Sequence, residues 1–362
     1  MTDVIVRTEV IYLCTASGEK VLDWTSGQMS SLIGHGHPDV EPTIADSAAN
    51  LDHLYSGMLS PPVIRLAETL TNISPTGLDK AMFLSTGGES NECAIKLAKM
   101  YTGKYEIVGR VPAGMARRVV RGGHSIMPGG RDAGNAHAAI ARLLPLHIPH
   151  LRRDLRELTY GWTLIDKASA PILSSGGMIH ILAGYMSAMK ASCHARNMLL
   201  IVDEAQTALG RAGDLFAVQY EDVVPDVLTL SKTLGNGLPL SAVITSREIA
   251  DVVGERGFMF YTTHASSDSR CRLSLTNCSQ EHLAERSRAA GAKLRAGLQQ
   301  LMERYGCIGA IRERALMAGI EIVKDWETKE LAFEFEKNLS ARMMELGLSA
   351  TISTRTSLVI SG

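Results

Sequence analysis

The chain lacks any strong excess of one charge: 37 Lys and Arg stand against 38 Asp and Glu, a formal net charge of −1 over 362 residues. That balance argues against a nucleic-acid partner held by a basic surface, and no acidic tail points to a basic partner. Cysteine is scarce and scattered, at Cys14, Cys93, Cys193, Cys271, Cys278 and Cys307, with no CxxC pair. A disulfide framework or structural zinc site is therefore not expected, and reduced thiols in a cytoplasmic protein are the plain reading. Met1 to Val4 lacks the basic region and apolar core of a signal peptide. No apolar run is long enough to span a bilayer, so no membrane partner is expected. Internal repeats and coiled-coil heptads are also missing. The length suggests one large and one smaller domain rather than a single simple core.

What is present is an alternation of short apolar runs and helical patterns. Val21-Leu22-Asp23-Trp24 predicts a strand, followed by Thr25-Ser26-Gly27-Gln28. Gly34-His35-Gly36-His37-Pro38 breaks the pattern and leads into a helix, and the two histidines shape a turn rather than bind metal, since no third ligand has usable spacing. Ala81 to Leu84 predicts a buried strand that Ser85-Thr86-Gly87-Gly88 turns into a helix from about Glu89. Ala94, Leu97, Ala98 and Tyr101 give that helix its apolar face. From about 110 to 153 the chain is rich in Arg, Gly, Ala, Pro and His, and neither period persists. Pattern resumes near Leu158 to Ile165. A helix over Tyr185–Ala195, a strand over Met198–Val202 and a strand over Asp226–Leu230 follow, and the alternation through Ile244 argues a mainly parallel sheet. Further on, the spacing predicts a helix over His282–Tyr305, a strand over Ile320–Val323 and a helix ending at Glu345.

Three strand ends carry groups suited to chemistry, and in an open parallel sheet ligands bind beyond the carboxyl ends of the strands. Lys232, in Leu230-Ser231-Lys232-Thr233, ends one strand. Asp203, in Asp203-Glu204-Ala205-Gln206, ends the neighbouring apolar strand, where a carboxylate is costly without a partner. Such a lysine and acid suit pyridoxal 5'-phosphate: the amine takes the aldehyde as a Schiff base and the acid keeps the pyridine nitrogen protonated. Gln206 could contact the ring's phenolic oxygen. Thr86, Gly87 and Gly88 sit between a strand and a helix N-terminus, where bare backbone N–H groups and the helix dipole cradle a phosphate. Taken singly, each has an ordinary reading as a turn, a helix cap or a surface lysine. Their order along the chain carries the argument.

Long stretches resemble the class III aminotransferases of pyridoxal phosphate fold type I, and most closely the pattern of 2,2-dialkylglycine decarboxylase. They are LDWTSGQMSSLIGHGHPDV, LDHLYSGMLSPPV, LSTGGESNECAIKLAKMYTGKYEIVG, PILSSGG, LLIVDEAQTALGR, PDVLTLSKTLGNGLPLSAVITS, FYTTHASS and LMERYGCIGAIRERALMAGIEIVKD. The resemblance implies Lys232 as the Schiff-base lysine, Asp203 as the partner of the pyridine nitrogen and Gln206 as the phenolic-oxygen contact. It implies Thr86, Gly87 and Gly88 as the phosphate loop, and Thr263 as a threonine reaching the phosphate of the other subunit, hence a homodimer or a tetramer of dimers. Gln28 and Ser56 fall on the substrate side. Leu54, Ser56, Thr263 and Ala265 lie where that decarboxylase holds an alkali-metal ion, although the matching aspartate, Asp268, stands one residue late.

The sequence also departs from the family. Where Ser-Trp-His-Gly is expected shortly after Gly109, with a ring that stacks on the cofactor, the chain reads Val111-Pro112-Ala113-Gly114-Met115-Ala116-Arg117-Arg118. Pro112 to Arg118 can be encoded as CCA GCT GGC ATG GCA CGA CGG, which from its third base spells Ser-Trp-His-Gly-Thr-Thr. A segment read out of frame relative to the family is thus one account of residues 110–153. Ala170-Pro171 replaces the expected Glu-Pro, Ser269-Arg270-Cys271-Arg272-Leu273 rewrites the helix after Thr263, and Arg355 lacks the surroundings of the family's carboxylate-binding arginine.

The expected fold is α/β: a mainly parallel mixed sheet flanked by helices, with a smaller α+β domain. The expected boundaries are an N-terminal segment 1–40 packing with the small domain, a large cofactor domain 41–280 with 110–170 atypical, and a small domain 281–362 that is incomplete. The expected function is amino-group transfer between an amino acid and a keto acid, with decarboxylation as a possible branch. The alternative is a catalytically impaired pseudoenzyme, a dimer partner or the product of a faulty gene model of that family.

Overall fold

The computed structural model describes residues 4–51, 54–55, 57–104, 106–108, 162–166, 172–174, 177–263, 282–352 and 357–361. Strands β1 (Ile5–Glu9), β2 (Tyr12–Thr15) and β3 (Lys20–Asp23) form an N-terminal antiparallel meander. The central sheet uses β4 (Lys80–Leu84), β5 (Glu106–Val108) and β6 (Trp162–Asp166). A two-stranded ribbon of β7 (Ile172–Leu173) and β8 (Ile179–His180) follows. β9 (Leu200–Asp203), β10 (Val227–Leu230) and β11 (Ser241–Thr245) complete the central sheet, in the order β4-β11-β10-β9-β6-β5. Five of these strands run one way and β11 runs against them, pairing antiparallel with both β4 and β10. The sheet is therefore mixed and mainly parallel.

Both faces of this sheet are covered, which is why its central strands are almost wholly apolar. Leu200, Val202, Leu228, Leu230, Ala242 and Ile244 pack on one side with Leu66 and Leu70 of the helix Pro61–Ile73 and with Met186 and Met189 of the helix Tyr185–His194. Leu199, Ile201, Val227 and Val243 pack on the other with Cys93, Ala94, Leu97 and Ala98 of the helix Gly87–Thr102. Alternation along the strands decides which face each residue serves. It sends Asp203 and Thr229, two residues on from Ile201 and Val227, toward the Gly87–Thr102 helix.

The C-terminal part builds a second sheet from β12 (Ile308–Arg314), β13 (Met317–Ile322), β15 (Thr351–Ile352) and β16 (Ser357–Ser361), while β14 (Leu348–Ser349) joins the N-terminal meander instead. The helices Leu283–Arg304 and Phe333–Glu345 flank it. β14 pairs in parallel with β3, so residues 22–24 are hydrogen-bonded to the C-terminal part, and Trp24 packs against its core. The helix foreseen from about Glu89 begins two residues earlier, at Gly87, because Thr86 and Glu89 form a capping box.

Candidate active site

β9 and β10 are neighbours in parallel, with Thr229 opposite Asp203, so both strands deliver their C-terminal residues to the same edge. Lys232 lies three residues beyond Thr229, at the head of the 3-10 turn Lys232–Gly235. Its φ of 38° is in the left-handed region, which costs a non-glycine residue roughly 1–2 kcal/mol. The amine is half-buried, and that burial lowers its pKa; the Asp203 carboxylate opposes the shift and the Arg211 guanidinium adds to it. The result is an amine more readily neutral, hence nucleophilic, than a surface lysine.

Asp203 is held from two sides. Its Oδ1 accepts from the Ala205 N–H at 3.0 Å and its Oδ2 accepts from the Asn91 Nδ2 at 3.1 Å. Asn91 is buried on the Gly87–Thr102 helix; its Nδ2 also donates to the Gly87 carbonyl at 2.8 Å, and its Oδ1 accepts from the Thr229 hydroxyl at 3.2 Å.

Thr86, Gly87 and Gly88, the expected phosphate loop, occupy the start of that helix. Thr86 Oγ1 accepts from the Glu89 N–H at 3.2 Å, and Glu89 Oε2 accepts from the N–H groups of Ser85 and Thr86 at 2.8 and 2.9 Å. Gly87 and Gly88, in the first turn, have N–H groups with no partner inside the helix. Ser241 Oγ donates to the Thr86 carbonyl at 2.8 Å, which ties the turn to β11. A Cβ added to Gly87 would meet Ser231 Oγ at 2.7 Å. A side chain at Gly87 would thus force Ser231 to shift, and helix N-termini of this kind favour an anion.

The other expected residues sit on several separate segments. Gln206 sits beyond β9, where its Oε1 accepts from the Ser174 hydroxyl. Gln28 is exposed in the turn Ser26–Met29, whose Ser26, Gly27 and Met29 all have positive φ. Ser26 Oγ meets Arg211 Nη2 at 3.3 Å, and Arg211 is fully buried, with its pKa lowered to about 10 by burial. Thr263 is exposed, and its neighbour Thr262 donates to Glu89 Oε1 at 2.8 Å. Leu54 is half-buried in a loop. Ser56, Ala265 and Asp268 lie outside the described residues, as do residues 109–161 and 167–171, the rewritten stretch 269–273, and Arg355.

Reading the sequence alone missed several groups that shape this edge. Asn91, Thr229, Ser174 and Arg211 read as ordinary polar residues, and only the fold brings them to it. Asn236 is another. It follows the lysine turn in left-handed conformation; its Oδ1 accepts from the Ile33 N–H at 3.1 Å and its Nδ2 donates to the Gly34 carbonyl at 3.2 Å. The N-terminal loop is thereby fastened beside Lys232. Within that loop Asp23 Oδ2 accepts from His35 Nε2 and from the Gly27 N–H, both at 2.9 Å. No cluster of three or more His, Cys, Asp or Glu that could hold a metal occurs among the described residues.

A mainly parallel sheet with a half-buried lysine, a neighbouring acid and a helix N-terminus at one edge suits pyridoxal 5'-phosphate, which offers an aldehyde, a ring nitrogen and a phosphate. The described donor set fits that cofactor. Comparison with known proteins gives the family. The Aminotransferase class-III family pattern matches residues 1–112 and 169–361. An uncharacterized aminotransferase of Schizosaccharomyces pombe is 38% identical, over 96% of this chain and 82% of its own length. A mitochondrial alanine–glyoxylate aminotransferase 2 homolog of Arabidopsis thaliana is 30% identical, over 95% of this chain and 75% of its own. Among solved structures, a taurine:2-oxoglutarate aminotransferase of Bifidobacterium kashiwanohense in complex with pyridoxal phosphate and glutamate superposes with a TM-score of 0.85 at 23% identity, covering 99% of this chain and 87% of that one. The chain belongs to the class III aminotransferases, a family of pyridoxal phosphate-dependent transaminases.

Proposed function

We propose that this aminotransferase passes the amino group of a small amino acid to a keto acid, with Lys232 and Asp203 as its catalytic pair. The observation that supports this most directly is the placing of a half-buried lysine and a hydrogen-bonded carboxylate at the ends of two strands paired in register. When bound, the cofactor supplies an aldehyde that exchanges amines and a ring that draws electrons from the substrate α-carbon. Lys232 Nζ would hold the cofactor's aldehyde, and it is the group placed to move a proton at the substrate α-carbon. Asp203 would keep the ring nitrogen protonated, and the first-turn N–H groups of Gly87 and Gly88 would receive the phosphate. Gln206, whose Oε1 accepts from the Ser174 hydroxyl, would contact the phenolic oxygen. Gln28 would serve the substrate carboxylate, and Thr263 would contact the cofactor of a second subunit in a homodimer. The three parts of the chain follow the division at residues 40 and 280, and the protein works in the cytoplasm.

Which amine the enzyme takes is the finer question. The names of the relatives favour transfer from an amino acid such as alanine, and the likeness around Gln28 and Ser56 to dialkylglycine decarboxylase favours a branch that also releases carbon dioxide. The test is direct. Purified protein is loaded with pyridoxal phosphate and its absorbance recorded near the visible–violet boundary, in the wild type and in Lys232→Ala. It is then given a panel of amino donors, dialkylglycines included, with pyruvate or 2-oxoglutarate as acceptor, while new amino acid and carbon dioxide are measured. A band that depends on Lys232 together with amino transfer is expected. Cofactor uptake without turnover on any donor would refute the proposed activity.

A further inference from the structure

Asn91 takes no part in the chemistry above, yet it touches both ends of the proposed site. Its amide orientation is fixed by its neighbours rather than chosen. Thr229 Oγ1 bonds to Asn91 Oδ1 at 3.2 Å, while the two groups facing Nδ2, the Gly87 carbonyl at 2.8 Å and Asp203 Oδ2 at 3.1 Å, can only accept. A flipped amide would set its oxygen against two acceptors, so one arrangement survives. All of this is out of water: Asn91 is 6% exposed and Thr229 is fully buried. In such surroundings hydrogen bonds to a charged group are strong and their loss is costly.

The geometry points to Asn91 as a positioning residue that sets the spacing between the cofactor's two anchors, the phosphate turn at Gly87 and the ring-nitrogen carboxylate of Asp203, with Thr229 locking its amide. This rests on the reading of the site as a pyridoxal phosphate site. One planar amide bonds to both anchors, so neither can drift relative to the other without breaking a buried hydrogen bond. Thr229 lies opposite Asp203 in the paired strands, which places the lock on the same rung as the carboxylate it serves. Without the Asn91 donor, Asp203 would hold the ring nitrogen less firmly in its protonated form. Less positive charge would then stand beside the Lys232 nitrogen, which would keep its proton to higher pH.

The experiment uses full-length protein with pyridoxal phosphate as the probe. Cofactor affinity, the pH midpoint of the visible band and the melting temperature of the cofactor-free form are measured for wild type, Asn91→Ala, Asn91→Asp, Thr229→Val and Thr229→Ser. Asn91→Ala and Asn91→Asp are expected to weaken cofactor affinity about ten- to a hundredfold and to raise the band's pH midpoint. Thr229→Val should move both the same way by less, and Thr229→Ser, which keeps the hydroxyl, should match the wild type. If the variants melt lower but take up cofactor with an unmoved midpoint, Asn91 is only a packing residue and the inference falls while the enzyme reading stands. If Asn91→Ala fails to fold, Asn91→Asp and Thr229→Val decide the question by the same two readouts. A wild type that takes up no cofactor would end both the inference and the reading beneath it.

Discussion

Lys232 combines two costs, a left-handed backbone and a half-buried amine, that a surface lysine does not carry. Both make sense if the neutral amine is what the site needs. Because burial and Arg211 lower its pKa against the pull of Asp203, the amine loses its proton at lower pH than an ordinary lysine. The rate at which cofactor-free protein captures pyridoxal phosphate should therefore rise with pH and level off below the ordinary lysine range near 10.4, measured by stopped-flow absorbance. A midpoint at or above that range would contradict the burial argument. Replacing Lys232 by Ala should abolish the visible band and lower turnover by at least about 10²-fold, the usual share of a positioned acid–base group. Asp203→Asn should keep the cofactor but slow amino transfer by roughly 10²–10³-fold, since a neutral amide no longer holds a protonated ring nitrogen. The two variants are told apart by spectrum as well as rate.

At the scale of elements, segments fit tightly at the Thr86–Gly88 turn and at Glu204. Gly87→Ala would drive a methyl group to 2.7 Å from Ser231 Oγ, and one of the two must move. Weaker cofactor binding is expected, partly restored in the double variant Gly87→Ala with Ser231→Ala, as equilibrium dialysis would show. Glu204, adjacent to Asp203, faces the other way and serves structure. It is fully buried; its carboxylate accepts from the Thr207 hydroxyl at 2.9 Å and from the N–H groups of Ala217 and Val218 at 2.7 and 2.8 Å, closing the N-terminus of the short helix Ala217–Glu221. Burial pushes its pKa up from 4.5 to about 7, against the pull of those donors. With the folded value above the unfolded one, the folded state binds the proton more tightly. Its contribution to stability is whole below about pH 4.5 and is lost as pH rises to about 7. Glu204→Gln should remove that slope from a series of urea titrations between those pH values. It should also lower stability overall by about 1–3 kcal/mol, because an amide cannot accept from both backbone N–H groups through one oxygen.

Across the whole molecule, the proposed site depends on segments far apart in sequence. Asn236 fastens residues 33 and 34 beside the lysine turn, and β14 pairs with β3, so the N-terminal loop bearing Gln28 is set by the large sheet and the C-terminal part together. Asn236→Ala should raise KM for the amino donor more than it lowers kcat, with cofactor affinity unchanged; the reverse pattern would mean the clamp serves the cofactor instead. The family match breaks between residues 112 and 169, over the Arg- and Gly-rich stretch whose composition is foreign to the rest of the chain. Sequencing the transcript is expected to show an alternate frame spelling an aromatic-His-Gly motif after Gly109. A coding sequence without it would leave Val111 to Arg118 as a true departure from the family.

The strand ending at Asp203, the strand just before Lys232, the turn at Thr86 to Gly88 and the mainly parallel run of the sheet were legible in the sequence by itself. Each is a local pattern: an apolar run short enough to be a buried strand, closed by a polar group or by glycines. Period and punctuation suffice because they act over a few neighbouring residues. What only the tertiary structure decided is which polar side chains meet at that edge. Asn91 and Asp203 are 112 residues apart and Asn91 and Thr229 are 138 apart. In Glu89-Ser90-Asn91-Glu92 the asparagine reads as one more solvated helix residue. Burial against β10 and the strand register turn it inward, because a helix packed across a sheet sends one stripe of its side chains to strand ends that the local sequence cannot see.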